Sequence, residues 1–237
     1  MTNDQILTDI REDFKRHSDP AIIQKYSRYF KEGFTGYGLP KGHFEAKVDE
    51  LLAIAGMDLN RVMELADTLI SSAKYEEVSI PILMTIRFQK SWDRDTFMAV
   101  EGWFSKGITN WAHTDYICGE IISLLFKKKI IGMSDLEPWR KAENKFQRRA
   151  AVVGLIKPMK LSTDFQPYFD FIDPMMMDPA REVHQGLGWF LREAWKKQPE
   201  PTEMCLLKWK DKAARLIFQY ATEKMTKEAK ERFRKTK

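Results

Sequence analysis

Cysteine is scarce: two residues in 237, Cys118 and Cys205, lie far apart inside helical patterns. Two reduced, buried thiols are expected, not a bridge. Long apolar runs are also missing, because charge interrupts each of them within about ten residues, so no membrane-spanning helix is predicted. The opening segment, Met1-Thr-Asn-Asp-Gln-Ile6, has neither the basic stretch nor the apolar run of a secretion signal. The chain therefore reads as cytoplasmic. No alternating strand pattern of useful length is present. The four histidines, His17, His43, His113 and His184, lack the sequence spacing of a zinc site, and no cysteine pair supplies one. Gly33, Gly36, Gly38 and Gly42 follow no strand and fit neither the P-loop nor the dinucleotide fingerprint, so they read as a helix–helix turn. Neither a metal nor an organic cofactor is expected.

What the sequence does hold is aromatic surface and helical periodicity. Aromatics make up 12% of the chain, and a sizeable core is affordable. Apolar residues recur at helical spacing almost throughout, predicting about a dozen helices. They include 20–34, 75–90, 110–128, 145–157, 178–197 and 203–225. Their lengths, at roughly 35 to 40 residues per helix pair, suit HEAT-like repeats. The predicted fold is all-α, an α-α superhelix or solenoid of HEAT-like repeats forming one domain over 1–237. Net charge is only +5, but from Lys208 onward eleven Lys/Arg face four Asp/Glu. That basic helical extension suits either a solvated helix end or contact with a polyanion.

Three segments combine aromatic and charged groups. In Asn110-Trp-Ala-His-Thr-Asp115, Trp111 and Asp115 stand four residues apart and share one helix face. His113 falls off that face and reads as a surface or supporting residue, while Ile117, Ile121, Leu124 and Leu125 supply a core side. Arg148 and Arg149 open the small, apolar segment that begins at Ala150. Trp189 lies in Gly186-Leu-Gly-Trp-Phe-Leu-Arg-Glu193, where each glycine costs about 1 kcal/mol relative to alanine in a helix, so close helix packing is expected there. A core tryptophan with solvated charges would explain each segment equally well when taken singly.

Taken together, these segments resemble the AlkD family of HEAT-like DNA alkylation repair enzymes. Trp111 and Asp115 fit the family's Trp-x-x-x-Asp pair, Arg149 before Ala150-Ala151 fits its arginine, and Trp189 fits its Gly-Trp-x-Leu-Arg-Glu segment. Arg28-Tyr29-Phe30-Lys31 fits the segment whose tyrosine lines the same cleft. The chain departs from the pattern at Ala112-His-Thr114, at Arg148 as a second cation, at the shorter Gly38-Leu-Pro40 turn and at Pro81. The resemblance implies a monofunctional DNA glycosylase that hydrolyses the N-glycosidic bond of cationic N3- or N7-alkylated purines. It implies a monomer acting on double-stranded DNA that contains alkylated bases, without metal or cofactor. Asp115, Trp111 and Trp189 would be catalytic, and Arg149, Arg148 and Tyr29 would bind DNA. Two other readings stay open: a non-catalytic relative that recognises distorted or branched DNA, and a protein-binding helical scaffold.

Overall fold

The computed structural model describes residues 1–31, 33–40 and 42–236, and among these it contains helices and no strand. In chain order they are α1 (Asn3–Arg16), α2 (Pro20–Ser27), α3 (His43–Leu52), α4 (Leu59–Ser71), α5 (Tyr75–Arg87), α6 (Arg94–Lys106), α7 (Trp111–Tyr116), α8 (Ser123–Lys127) and α9 (Met133–Leu136). There follow α10 (Lys145–Val153), α11 (Ile156–Lys160), α12 (Gln166–Ile172), α13 (Arg181–Trp195), α14 (Pro199–Trp209), α15 (Arg215–Ala221) and α16 (Lys227–Glu231). Helices pack chiefly on near neighbours in the chain, as in an array of helical repeats, and the all-α expectation is met. No helix among the described residues is long and apolar enough to cross a membrane. The chain forms two compact units, Met1–His113 and Thr114–Lys237.

In the first unit, α1 begins with Thr2 and Gln5 in a reciprocal capping box and buries Ile6, Ile10 and Phe14 at four-residue spacing. Those side chains pack with Leu51, Val62, Leu65, Leu69, Ile80 and Met84 from α3, α4 and α5. The predicted helix over 20–34 stops at Ser27. Farther along, the Gly36–Pro40 turn is bound to the start of α5. There the Glu76 carboxylate accepts the backbone amides of Tyr37 and Gly38 at 2.8 Å and of Leu39 at 3.3 Å. Beside it, buried Glu77 accepts the Tyr37 hydroxyl at 2.7 Å and pairs with Arg11 at 3.2 Å. Burial, reinforced by that bond and the Glu77 charge, pushes the Tyr37 phenol above its ordinary range. Gly38 takes φ +70°, and a Cβ there would lie 2.5 Å from the Asp19 carbonyl oxygen. The glycine cluster is thus a helix–helix connection, as expected. Pro81 neither begins α5 nor interrupts it; it sits buried inside that helix.

In the second unit, α13 packs against α10 on one side and α15 on the other. Its two glycines make this possible. A Cβ on Gly186 would stand 3.3 Å from Val153 Cγ2, and one on Gly188 would stand 2.4 Å from Tyr220 Cβ. The expectation of close packing therefore holds. Cys118 is buried, Cys205 half-buried, and both are free thiols. In the basic extension, Lys208 pairs with Asp173, Arg232 with Glu203, and Arg215 donates to the Phe233 carbonyl, so part of its charge is spent in folding. Lys212, Lys224, Lys227 and Lys235 are exposed.

Glu76→Ala should leave three backbone amides of the Gly36–Pro40 turn without their acceptor. The expected loss is about 3 kcal/mol in urea unfolding, since each unpaired buried donor costs on the order of 1–3 kcal/mol. An unchanged midpoint would mean that the turn is held by other means.

Candidate active site

α7 starts at a side-chain cap. The Asn110 side-chain oxygen accepts the His113 amide at 2.9 Å, and its side-chain nitrogen donates to His113 Nδ1 at 2.8 Å. That assigns the proton to Nε2, which donates to the Tyr75 carbonyl at 3.1 Å with Ser79 Oγ at 3.0 Å. The ring also stacks on Tyr75, with centroids 4.5 Å apart. His113, read from the sequence as a surface or supporting residue, is 4% exposed and ties the start of α7 to α5. Burial pushes its pKa down to about 3, so the ring stays neutral.

Trp111, by contrast, is 42% exposed. Its indole N–H donates to the Tyr29 carbonyl oxygen at 3.2 Å, and its ring stacks on Phe30 at 5.8 Å with 22° between planes. Phe34 and Tyr75 extend the same aromatic cluster. The segment expected near Trp111 is there, with a change of residue. Tyr29 gives its backbone oxygen while its side chain is exposed, and the neighbouring Phe30 supplies the ring. Nothing in the sequence pattern singled out Phe30, although it lies within the Arg28–Lys31 segment.

In the second unit, Asp115 and Arg149 form a two-point pair: Arg149 Nε and Nη2 each donate to one carboxylate oxygen at 2.8 Å. Arg149 Nη1 donates to the Glu182 carbonyl at 2.7 Å, in the first turn of α13. The guanidinium is buried, whereas the Asp115 side chain keeps 18% of its surface. Nearby, burial raises the Cys118 thiol well above its usual range, and the Asp115 charge adds to the effect. Arg148 is committed elsewhere. It binds Asp178 at 2.7 and 3.3 Å and donates to the Ala142 and Glu143 carbonyls at 2.9 Å. It fastens the approach to α13 to the start of α10. Trp189 is half-buried on α13.

Directly after α7 the backbone widens into a π-helical stretch, Ile117–Ile122, before α8 resumes. Such insertions concentrate at functional sites. Here, Ile117, Cys118, Ile121 and Ile122 all remain buried across it. Altogether α7 offers an exposed indole and, one turn on, a carboxylate whose orientation is fixed by a buried cation.

The sequence profile of the DNA alkylation repair enzyme family matches residues 10–225. Among solved structures, a predicted DNA alkylation repair enzyme from Enterococcus faecalis superposes with a TM-score of 0.70 at 16% identity, covering 89% of this chain and 98% of its own. AlkD2 from Streptococcus mutans gives a TM-score of 0.58 at 20% identity, covering 86% of this chain and 99% of its own. The protein smu.31 from Streptococcus mutans UA159 gives 0.58 at 19% identity, covering 86% and 100%. At such identities these likenesses establish the fold. No curated protein sequence matches the chain.

His113 links folding to pH. In the unfolded chain its ring takes up a proton near the ordinary value of 6.5, but in the folded protein only at about 3. Between those values the unfolded state binds more protons, so stability rises with pH through the window and levels off above it. Between about pH 5 and 6, His113 should contribute a slope of about 1.2 kcal/mol per pH unit. Urea unfolding of wild type and His113→Gln across that interval checks it, and equal slopes would show that His113 is not buried neutral.

Proposed function

We propose that this chain, which belongs to the DNA alkylation repair enzyme family, is a monofunctional DNA glycosylase that releases cationic N3- or N7-alkylated purines from double-stranded DNA. The observation that carries the reading is the Asp115 carboxylate, clamped at two points by Arg149 and one helical turn from the exposed face of Trp111. A purine alkylated at N3 or N7 already bears a positive charge, so it can depart without a general acid. As the bond breaks, charge passes to the deoxyribose, as in the oxocarbenium-like transition state of glycosidases. Asp115 stabilises that charge and orients the attacking water. The exposed face of Trp111 holds the cationic nucleotide, at roughly 0.5–2 kcal/mol, and the family resemblance gives Trp189 a like part.

The arginines take different parts in this reading. Arg149 is first a positioning residue, since three of its N–H groups go to Asp115 and the Glu182 carbonyl. Its two other N–H groups are the ones available for a phosphate. Arg148 acts through the fold, by fixing the approach to α13, and phosphate contact falls more naturally to exposed lysines of the basic extension. Phe30 joins Tyr29 as part of the surface around Trp111. No metal or organic cofactor enters the scheme.

Asp115→Asn should keep DNA binding, with a log–log salt slope near −0.9 per phosphate contacted. Excision of methylated purines should fall roughly 10²-fold, if the carboxylate supplies about 3 kcal/mol in the transition state. Released bases are quantified per folded molecule, because the substitution also removes the charge that balances Arg149. Asp135→Asn serves as control; its carboxylate accepts the Gly132 amide at 2.7 Å at the start of α9, and excision should be unchanged. Wild-type excision by Asp115→Asn would overturn the assignment of chemistry, and a wild-type protein that binds DNA but releases no base would leave the non-catalytic reading in its place.

A further inference from the structure

Two histidines that sequence spacing kept apart meet on one carboxylate in the first unit. Asp13 and His17 stand four residues apart at the end of α1, where the His17 amide donates to the Asp13 carbonyl. His43 opens α3, and the Gly36–Pro40 turn, held by Glu76, lies in the connection leading to it. The result is compact. His43 Nε2 lies 2.8 Å from Asp13 Oδ2, His17 Nδ1 lies 3.3 Å from Asp13 Oδ1, and the imidazole centroids are 4.2 Å apart. One ligand atom from each of the three side chains falls within 4.8 Å of the others.

We propose that Asp13, His17 and His43 bind a divalent transition-metal ion of the Zn²⁺ class, with water completing the coordination. Zinc takes nitrogen and carboxylate oxygen at about 2.0–2.2 Å, which places neighbouring ligands of a tetrahedral site roughly 3.3 Å apart. The two nitrogen–oxygen separations, 2.8 and 3.3 Å, lie at or below that figure, and an ion would draw His17 Nδ1 from the Asp13 carbonyl, on which it also rests at 2.9 Å. Two imidazoles with one carboxylate select zinc, nickel or copper over magnesium and calcium, which prefer oxygen ligands alone. Lys47 and Arg16 are the other cations near the carboxylate. Lys47 spends its own charge on Asp9 and Glu50, at 2.5 and 2.9 Å. Arg16, at 3.6 Å from Asp13 and 68% exposed, can swing into solvent when a cation arrives. Half-exposed His17 leaves an open side through which the ion enters.

Such an ion would join the end of α1 to the start of α3, tying the first unit through ligands that meet only when it is folded. The site is independent of Asp115 and of any reaction there. Its test uses the untagged full chain, stripped with a chelator and titrated with Zn²⁺ by calorimetry, with Mg²⁺ in parallel. One equivalent of Zn²⁺ should bind and raise the melting temperature with concentration, as expected for a ligand of the folded state alone. Mg²⁺ should do neither. His43→Gln should weaken Zn²⁺ binding at least tenfold. His17→Gln, at an exposed position that carries no core packing, should do the same if His43→Gln does not fold. Co²⁺ should give the visible absorption of a tetrahedral site in the wild type and lose it in both variants. No Zn²⁺ binding by the wild type would overturn the proposal. So would binding of equal strength in a folded histidine variant, since the ion would then sit elsewhere.

Discussion

The buried guanidinium of Arg149 is the constraint around which the second unit is organised. A charge removed from water costs several kcal/mol unless it is paired, and here a carboxylate and a carbonyl take three of its five N–H donors. Each partner belongs to a different helix, so one side chain fixes α7, α10 and the first turn of α13 against one another. Gly186 belongs to the same arrangement, since a Cβ there would come within 3.4 Å of Arg149 Cγ. Arg148, one residue earlier, repeats the device with Asp178 and two carbonyls. Adjacent arginines thus secure one helix junction from two sides.

Much of this was legible as pattern. Trp111 and Asp115 announce a shared face by spacing alone, and the glycines at 186 and 188 announce close approach by their cost. Illegible was whatever depends on a partner distant in sequence. The helix expected through residue 34 ends at Ser27, and the Gly36–Pro40 turn beyond it is held by Glu76, about forty residues after that turn. His113 lies off the Trp–Asp face, which suggested surface, yet that direction faces Tyr75 and Ser79. Tyr29 drew notice by resemblance, whereas Phe30 makes the ring contact. The histidine pair on Asp13 shows the same limit, because its ligands come from two helices that only the folded connection brings together.

The π-helical stretch refines one further expectation. An uninterrupted α-helix over 110–128 would present Ile117, Ile121, Leu124 and Leu125 as its core side. One wider turn changes the angular register of everything after it. Ile117, Ile121 and Leu125 are buried as expected, Ile122 joins them, and Leu124 is only half-buried. The wider turn adds Ile122 to the core side while α7 keeps Asp115 turned toward Arg149.

The pairing of Asp115 with Arg149 bears on the proposed chemistry. A carboxylate paired with arginine loses part of its field, which argues against a purely electrostatic role. The pairing compensates through position. A charge already fixed before the transition state needs no reorganisation when positive charge develops on the sugar, and fixed groups are the ones that contribute most to such catalysis. Only 18% of the Asp115 side chain is exposed, so water competes for it poorly. A leaving group that carries its own positive charge asks for no acid, and neutral His113, buried beneath the start of α7, offers none. On this reading, specificity arises before the protein acts: alkylation supplies the charge, and the site supplies aromatic faces to hold it and one oriented carboxylate to receive what it becomes.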